Sequence, residues 1–319
     1  MRNPPDVPGV RSQRTRFQKL LAYLKRYWFL YLLVLPGFVF MIVFNYGPMY
    51  GIQLAFKDYH ANLGIWGSPW VGLEHFREMI ADANFWRAAK NTLIINGYNI
   101  VFKTTFTIFL ALMLNELRLK KVKSCVQTAA YLPYFLSWVI FAGLVQVFLE
   151  YPSSSGSSGG VINQVITFFG GEPINFLFRA IVVISNIIKN AGYGTIVYLA
   201  SMSTINPALY EAAKMDGSNR LQMMLHITIP AILPTIVILL ILDLSSLFSA
   251  NFDQIYNLYN NYVLSTGDVL STYIYRISLG GGTSFELSTA INLVLQVLGL
   301  IVVLITNKFV SKLDIMGIF

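Results

Sequence analysis

Long apolar stretches divided by short polar ones dominate the chain, and six of them are long enough to cross a bilayer. They run over residues 28–46, 91–114, 126–149, 178–202, 229–252 and 290–307. A helix needs roughly 20 apolar residues to span about 30 Å of hydrocarbon, so each stretch predicts a transmembrane helix. Between the fourth and fifth stretches the pattern changes to two short amphipathic pieces. Asn206 is suited to an N-cap and Pro207 to the first turn of a helix that ends near Asp216, where Gly217 can adopt the left-handed conformation. Ser218 then caps a second piece, in which Leu221, Met224, Leu225 and Thr228 recur at helical spacing up to Pro230.

The apolar stretches are not uniformly apolar. In the second, Asn96, Asn99, Lys103 and Thr107 follow helical spacing and form one polar stripe; in the fourth, Asn186, Lys189, Asn190 and Tyr193 do the same. Asp243, with Ser246 one turn later, is the acid at comparable depth in the fifth. Both lysines lie roughly 16 Å from the nearer span end at 1.5 Å per residue, too deep for easy snorkelling. A charge in hydrocarbon is expensive unless it faces a cavity or a partner, so the stripes predict a water-filled path. Two lysines against one acid would make that path net positive and suited to an anionic cargo. A structural reading stands beside it, in which the amides glue helices together and Asp243 neutralises one lysine.

Composition places the chain firmly in the membrane. Of its 319 residues 55% are hydrophobic and 12% charged, with a mean hydropathy of +0.58. The formal net charge of +8 is concentrated on one side of a six-span topology. Arg11, Arg14, Arg16, Lys19, Lys25 and Arg26 precede the first span, and Arg118, Lys120, Lys121 and Lys123 fill the gap between the second and third. Lys214 and Arg220 lie between the fourth and fifth, and Lys308 and Lys312 follow the sixth. The positive-inside bias therefore puts both termini in the cytosol, and topology rather than nucleic-acid binding accounts for the charge. Residues 1–27 are a polar, basic cytosolic arm able to touch anionic lipid, and the first apolar stretch reads as a retained span rather than a cleaved signal. The expected division is 1–27 arm, 28–90 first helix with an external segment, and 91–319 a five-helix core holding the cytosolic segment 206–229. The aromatic-rich external stretch 55–86 should be compact or interfacial, 152–160 a flexible Ser/Gly loop tip, and 252–288 partly helical or re-entrant.

Candidate chemistry is sparse. No glycine-rich phosphate loop with its lysine is present, His60, His75 and His226 have no ligand spacing, and Cys125 is the single cysteine. No catalytic residue, metal site or cofactor is expected in this chain.

The run Glu211-Ala212-Ala213-Lys214-Met215-Asp216-Gly217, followed by Ile227-Thr228-Ile229-Pro230, resembles the signature of permease subunits of bacterial ATP-binding-cassette importers. That signature is Glu-Ala-Ala, three residues, Gly, nine residues, Ile, any residue, Leu-Pro, and only Ile229 departs from it. The resemblance implies an all-α polytopic membrane protein with six transmembrane helices and the type I importer permease fold. It implies that Glu211, Ala212, Ala213, Asp216, Gly217 and Arg220 belong to a coupling helix docked in a cleft on a separate ATPase. A second homologous permease, two ATPase subunits and an extracytoplasmic solute-binding protein would be its partners. Leu35-Pro36-Gly37, Tyr46-Gly47-Pro48-Met49-Tyr50-Gly51, Ala130-Tyr131-Leu132-Pro133-Tyr134-Phe135 and Lys189-Asn190-Ala191-Gly192-Tyr193-Gly194 are similar to the oligosaccharide branch. That branch includes alginate and rhamnogalacturonan importers, which implies an acidic, alginate-type cargo; a neutral sugar is the alternative. A secondary transporter driven by an ion gradient would also use intramembrane charges, but would leave the segment between spans four and five without a role.

Overall fold

A computed structural model describes residues 25–149, 159–171, 178–248, 251–259, 263–281 and 284–311. Most of the basic arm, residues 152–158 of the Ser/Gly tip and Lys312 lie outside them. The described residues are helical apart from loops and one isolated antiparallel bridge, Lys57 with Trp70. Five helices are long and apolar enough to cross a membrane, and a bent pair brings the number to six.

The chain divides into two compact units, residues 1–53 and 54–319. The first contains α1 (Trp28–Met41), which continues through a π-helical turn at Ile42–Tyr46 into a 3₁₀ stretch. No residue of α1 is buried, so its whole surface is apolar and exposed, as for a helix standing in lipid.

The second unit opens with α2 (Glu74–Ala81) and α3 (Ala83–Glu116). Asp82 caps α3, accepting from the Asn84 amide at 2.8 Å. After α4 (Lys120–Tyr131) comes a 3₁₀ turn at Leu132–Phe135 and then α5 (Trp138–Leu149). The expected straight third span, 126–149, is therefore corrected: the chain bends by 106° between Phe135 and Trp138. Pro133 supplies the reason, since its nitrogen cannot donate and the ring blocks a regular helix; Leu136 is extended beyond it. Breaking a helix at membrane depth frees carbonyls that must find donors.

Next follow α6 (Val161–Phe168) and α7 (Phe178–Ser203). α7 packs along α3 and against α4. Gly194 allows the first contact, because a Cβ there would sit 2.9 Å from the Thr107 methyl; Gly192 allows the second, lying directly against the Ala130 carbonyl. α8 (Pro207–Met215) is the first amphipathic piece. A single helical turn at Arg220–Met223 and a π-helical turn at Met224–Thr228 then run without a stop into α9 (Ile229–Ser245). Between α9 and the last span, α12 (Phe285–Ser311), lie α10 (Phe252–Leu258) and α11 (Leu270–Ser278), which cap the end of the unit away from α8. The 252–288 stretch is thus largely helical.

Three apolar clusters hold this unit together. One joins Phe85, Leu270, Tyr273, Leu287 and Ile291; another Ile95, Ala142, Val182 and Ile255; the third Ala111, Leu112, Tyr198, Met202 and Ile232. This cap is pinned by polar contacts as well. Asp268, fully buried, accepts from both Arg276 terminal nitrogens, at 2.6 and 3.1 Å, and from the Thr272 hydroxyl at 2.9 Å. Lys57 donates to the Ile65 carbonyl at 2.6 Å, with its ammonium 5.0 Å from the centre of the Trp70 ring. Asn91 donates to the Ser265 and Asp268 carbonyls and accepts from Arg179 at 2.8 Å, tying α3, α7 and the cap together.

Candidate functional site

The polar stripes of α3 and α7 meet over a cavity of about 160 Å³ lined by Asn96, Asn99, Ile100, Lys103, Asn186, Asn190, Asp243, Ser246, Leu247 and Asn251. Three helices that are otherwise apolar thus turn amide and charged side chains toward one space, the arrangement that makes polar groups tolerable at membrane depth. Lys103 donates from Nζ to Asp243 Oδ1 at 2.7 Å, and the two side chains keep 26% and 30% of their surface. The pair borders the cavity rather than being sealed in the bundle.

Above it runs a chain of amides. Asn96 donates to the Leu247 carbonyl at 2.5 Å and accepts from Asn251 at 2.6 Å, while Asn186 donates to Asn251 Oδ1 at 3.4 Å and to Gln254 Oε1 at 3.2 Å. Gln254, fully buried, donates in turn to the Val182 carbonyl and to Ser185. Asn251 has φ +74°, a left-handed conformation that asparagine tolerates better than most residues, and it turns the chain from the end of α9 into α10. Asn251 and Gln254 have no helical stripe to reveal them in the sequence; the weak signal was two amides beside the end of an apolar stretch.

Two expected path residues lie elsewhere. Lys189, 5% exposed, does not line the cavity but points into the break of the third span. Its ammonium donates to the carbonyls of Pro133 at 3.2 Å, Tyr134 at 3.0 Å and Leu136, and sits 5.2 to 5.9 Å from the ring centres of Trp138, Tyr134 and Phe141. The bend leaves these carbonyls short of regular helical donors, Pro133's accepting also from the Leu136 amide at 3.3 Å, and the rings accommodate the charge through their π faces. Tyr193 stacks on Tyr134 with centroids 4.0 Å apart and an interplanar angle of 5°, and also lies outside the cavity lining. In this cavity the charges of Lys103 and Asp243 balance, and the ammonium of the second lysine is taken up by backbone carbonyls.

The amphipathic segment stands at the other end of the helices. Asn206 caps α8, accepting from the Ala208 amide at 3.0 Å. Gly217 has φ +79°, and the amides of Gly217 and Ser218 return to the carbonyls of Lys214 and Ala213 at 3.1 and 2.9 Å. This is a Schellman ending, which needs a residue at ease with positive φ. The second cap is Asn219 rather than the expected Ser218: Asn219 and Gln222 exchange side-chain and backbone hydrogen bonds at 2.8 and 2.9 Å in a capping box. Two contacts brace the segment, Tyr210 with Thr228 at 2.9 Å and Arg220 with Glu116 at 3.8 Å. Glu211, Ala212, Asp216 and Gly217 are exposed, Ala213 is half-buried, and no residue of α8 is buried. A well-capped helix with no buried face is built to present itself to something outside the chain.

Among the described residues no cluster of His, Cys, Asp and Glu could hold a metal ion.

The chain resembles known proteins over nearly its whole length. It is 41% identical over 320 residues to the polygalacturonan/rhamnogalacturonan transport system permease protein YteP of Bacillus subtilis (strain 168), covering 99% of this chain and 98% of that one. The crystal structure of a bacterial ABC transporter involved in the import of the acidic polysaccharide alginate contains a chain with TM-score 0.83 and 40% identity, covering 92% of this chain and 99% of that one. The bacterial alginate ABC transporter in complex with alginate pentasaccharide-bound periplasmic protein gives TM-score 0.84 and 39% identity, covering 94% and 100%. The family model for the binding-protein-dependent transport system inner membrane component matches residues 103–314, from Lys103 at the cavity through the exposed amphipathic segment to the last span. A polar cavity between otherwise apolar helices and a capped, exposed helix beyond them are what a transport subunit requires, and the chain belongs to the family of binding-protein-dependent transport system inner membrane components.

Proposed function

We propose that this chain is the permease subunit of an ABC importer for acidic oligosaccharides, passing cargo from an extracytoplasmic binding protein to the cytosol by alternating access. The observation that carries the reading is the cavity between α3, α7 and α9, where amides and a lysine converge within otherwise apolar helices. Amides suit sugar hydroxyls, and a cation suits a uronate. The names of the similar proteins, which handle polygalacturonan, rhamnogalacturonan and alginate, support the acidic class.

A second, related permease, two ATPase subunits and the binding protein complete the transporter, with both termini of this chain cytosolic. Asn96, Asn99, Lys103, Asn186, Asn190 and Asp243 form this subunit's part of the path. Glu211, Ala212, Ala213, Asp216, Gly217 and Arg220 form the coupling surface, which moves with an ATPase and tilts the helices around the path. The chain itself is non-catalytic and needs no cofactor, because its sequence has no phosphate-binding loop.

Reconstitution tests this directly. Purified alone in lipid, the chain should hydrolyse no ATP; with its partners, hydrolysis should rise when the binding protein is loaded with a short oligouronate. Hydrolysis by the chain alone, or a complete transporter indifferent to every oligouronate, would refute the proposal.

A further inference from the structure

Asn99 is the anomaly of the cavity. Its side chain is 5% exposed and lines the space, yet both amide atoms are buried and neither has a hydrogen-bond partner among the described residues. Buried amides are almost always satisfied, so an orphaned one facing a cavity marks a place where something else completes the bonding. One turn along the same helix face is Lys103, whose 2.7 Å partner Asp243 comes from a different span. Both charged side chains retain about a quarter of their surface, 26% and 30%, so the pair opens to the same space. A partly exposed ion pair is weakly held, and a second carboxylate can take over the same ammonium while the displaced Asp243 carboxylate turns to the open, water-accessible side of the cavity and adds one negative charge there.

We propose that Asp243 is an internal stand-in for a cargo carboxylate. A uronate entering the cavity displaces Asp243 from Lys103, and Asn99 hydrogen-bonds the same sugar unit. This rests on the acidic-oligosaccharide reading and adds a mechanism of selection to it. A neutral sugar cannot take a carboxylate's place, so it meets a closed pair. The empty cavity carries no net charge from the pair and does not hold stray anions strongly. Asp243 remains nearby to reclaim the lysine, which lets cargo leave.

The test uses the complete transporter in proteoliposomes, with its ATPases and a binding protein loaded with an oligouronate of about five residues, measuring uptake and stimulated ATP hydrolysis against cargo concentration. Lys103→Met should raise the half-saturating concentration by about tenfold or more, the scale of one lost charge-assisted hydrogen bond. Asp243→Asn removes the competitor and should lower that concentration. The decisive variant is Lys103→Met with Asp243→Asn, which should stay as impaired as Lys103→Met. Recovery of the double variant, or an Asp243→Asn variant as impaired as Lys103→Met, would make the pair a strut between helices and overturn the proposal.

Asn99→Leu gives an independent reading should the charge variants assemble poorly. A purely structural amide without partners would be replaced at no cost to uptake, whereas a cargo contact predicts a severalfold loss of uptake with an unchanged or raised melting temperature. A wild-type transporter that ignores oligouronates would sink the acidic-cargo function itself, which these variant comparisons leave distinct.

Discussion

Lys189 shows how a single side chain can answer to the backbone rather than to a ligand. Its ammonium is the donor for three carbonyls at the proline break, in a box of three aromatic rings. Lys189→Met keeps the length and removes every one of those bonds. Losing the hydrogen bonds of a charged donor to these partly buried carbonyls costs about 1.5–3 kcal/mol. The variant should therefore lower the melting temperature of the assembled transporter, and should impair uptake of charged and neutral cargo equally. A normal melting temperature with loss confined to acidic cargo would return the lysine to the path. Sequence spacing groups Lys189 with Asn186, Asn190 and Tyr193, but Asn186 and Asn190 line the cavity while Lys189 and Tyr193 meet the turn around Pro133; what the lysine touches depends on that proline, 56 residues away along the chain. Helical periodicity carries no information about such a partner. Asn96, Asn99 and Lys103 were legible because their stripe faces the same neighbours along its length.

At the scale of elements, the local geometry of the amphipathic segment was the most legible part of the molecule and the path of the third span the least. Asn206, Pro207 and Gly217 act locally, so cap, first turn and stop could be read from residue type alone. The 106° bend depends on a proline whose effect on a membrane helix hinges on whether another helix supplies donors, and α7 does. The proposed coupling role of this segment makes a sharp prediction. No atom lies within 4 Å of a Cβ built on Gly217, so Gly217→Val should be strained by its φ of +79° alone and not by collision. A β-branched residue in the left-handed region costs roughly 1–2 kcal/mol, concentrated in the exposed handle. The variant should insert normally and lose most cargo-stimulated ATP hydrolysis, and Gly217→Asn, which tolerates positive φ, should recover much of it. Full coupling in the valine variant would count against docking through this bend.

The cap formed by α10 and α11 predicts a pH dependence of its own. Burial pushes the Asp82 carboxyl up, but the Tyr273 hydroxyl and the Asn84 amide that bond to it pull harder, leaving it below the usual carboxylate range. A depressed carboxyl stabilises the folded form above its unfolded pKa and loses that contribution as pH falls through the folded value. The contact between Tyr273 on α11 and the start of α3 should thus be intact at neutral pH and weaken only in strong acid. Hydrogen exchange of α11 measured against pH should show loosening below the ordinary carboxylate pKa and none near neutrality; in Asp82→Asn the acid step should disappear.

For the whole molecule the open question is direction, because six apolar segments look alike from either side. The basic residues between the second and third spans, and those beside α8, argue that these turns face the cytosol, since translocating lysine and arginine is disfavoured. Cys125, on α4 just beyond Lys120, Lys121 and Lys123, is exposed and is the chain's single cysteine. A membrane-impermeant maleimide should therefore label the wild-type chain in inverted vesicles and not in right-side-out ones. The opposite face can be read in the same chain: Asp58 is exposed in the external stretch, so Cys125→Ser with Asp58→Cys should reverse the pattern. An ATPase seated on α8 could shield Cys125 in the full assembly, which makes the chain without its ATPases the right sample for the first measurement. If Cys125 reacts from outside and position 58 from inside, both termini and α8 are extracytoplasmic. α8 would then have no ATPase to meet, and the coupling mechanism would fail together with the topology.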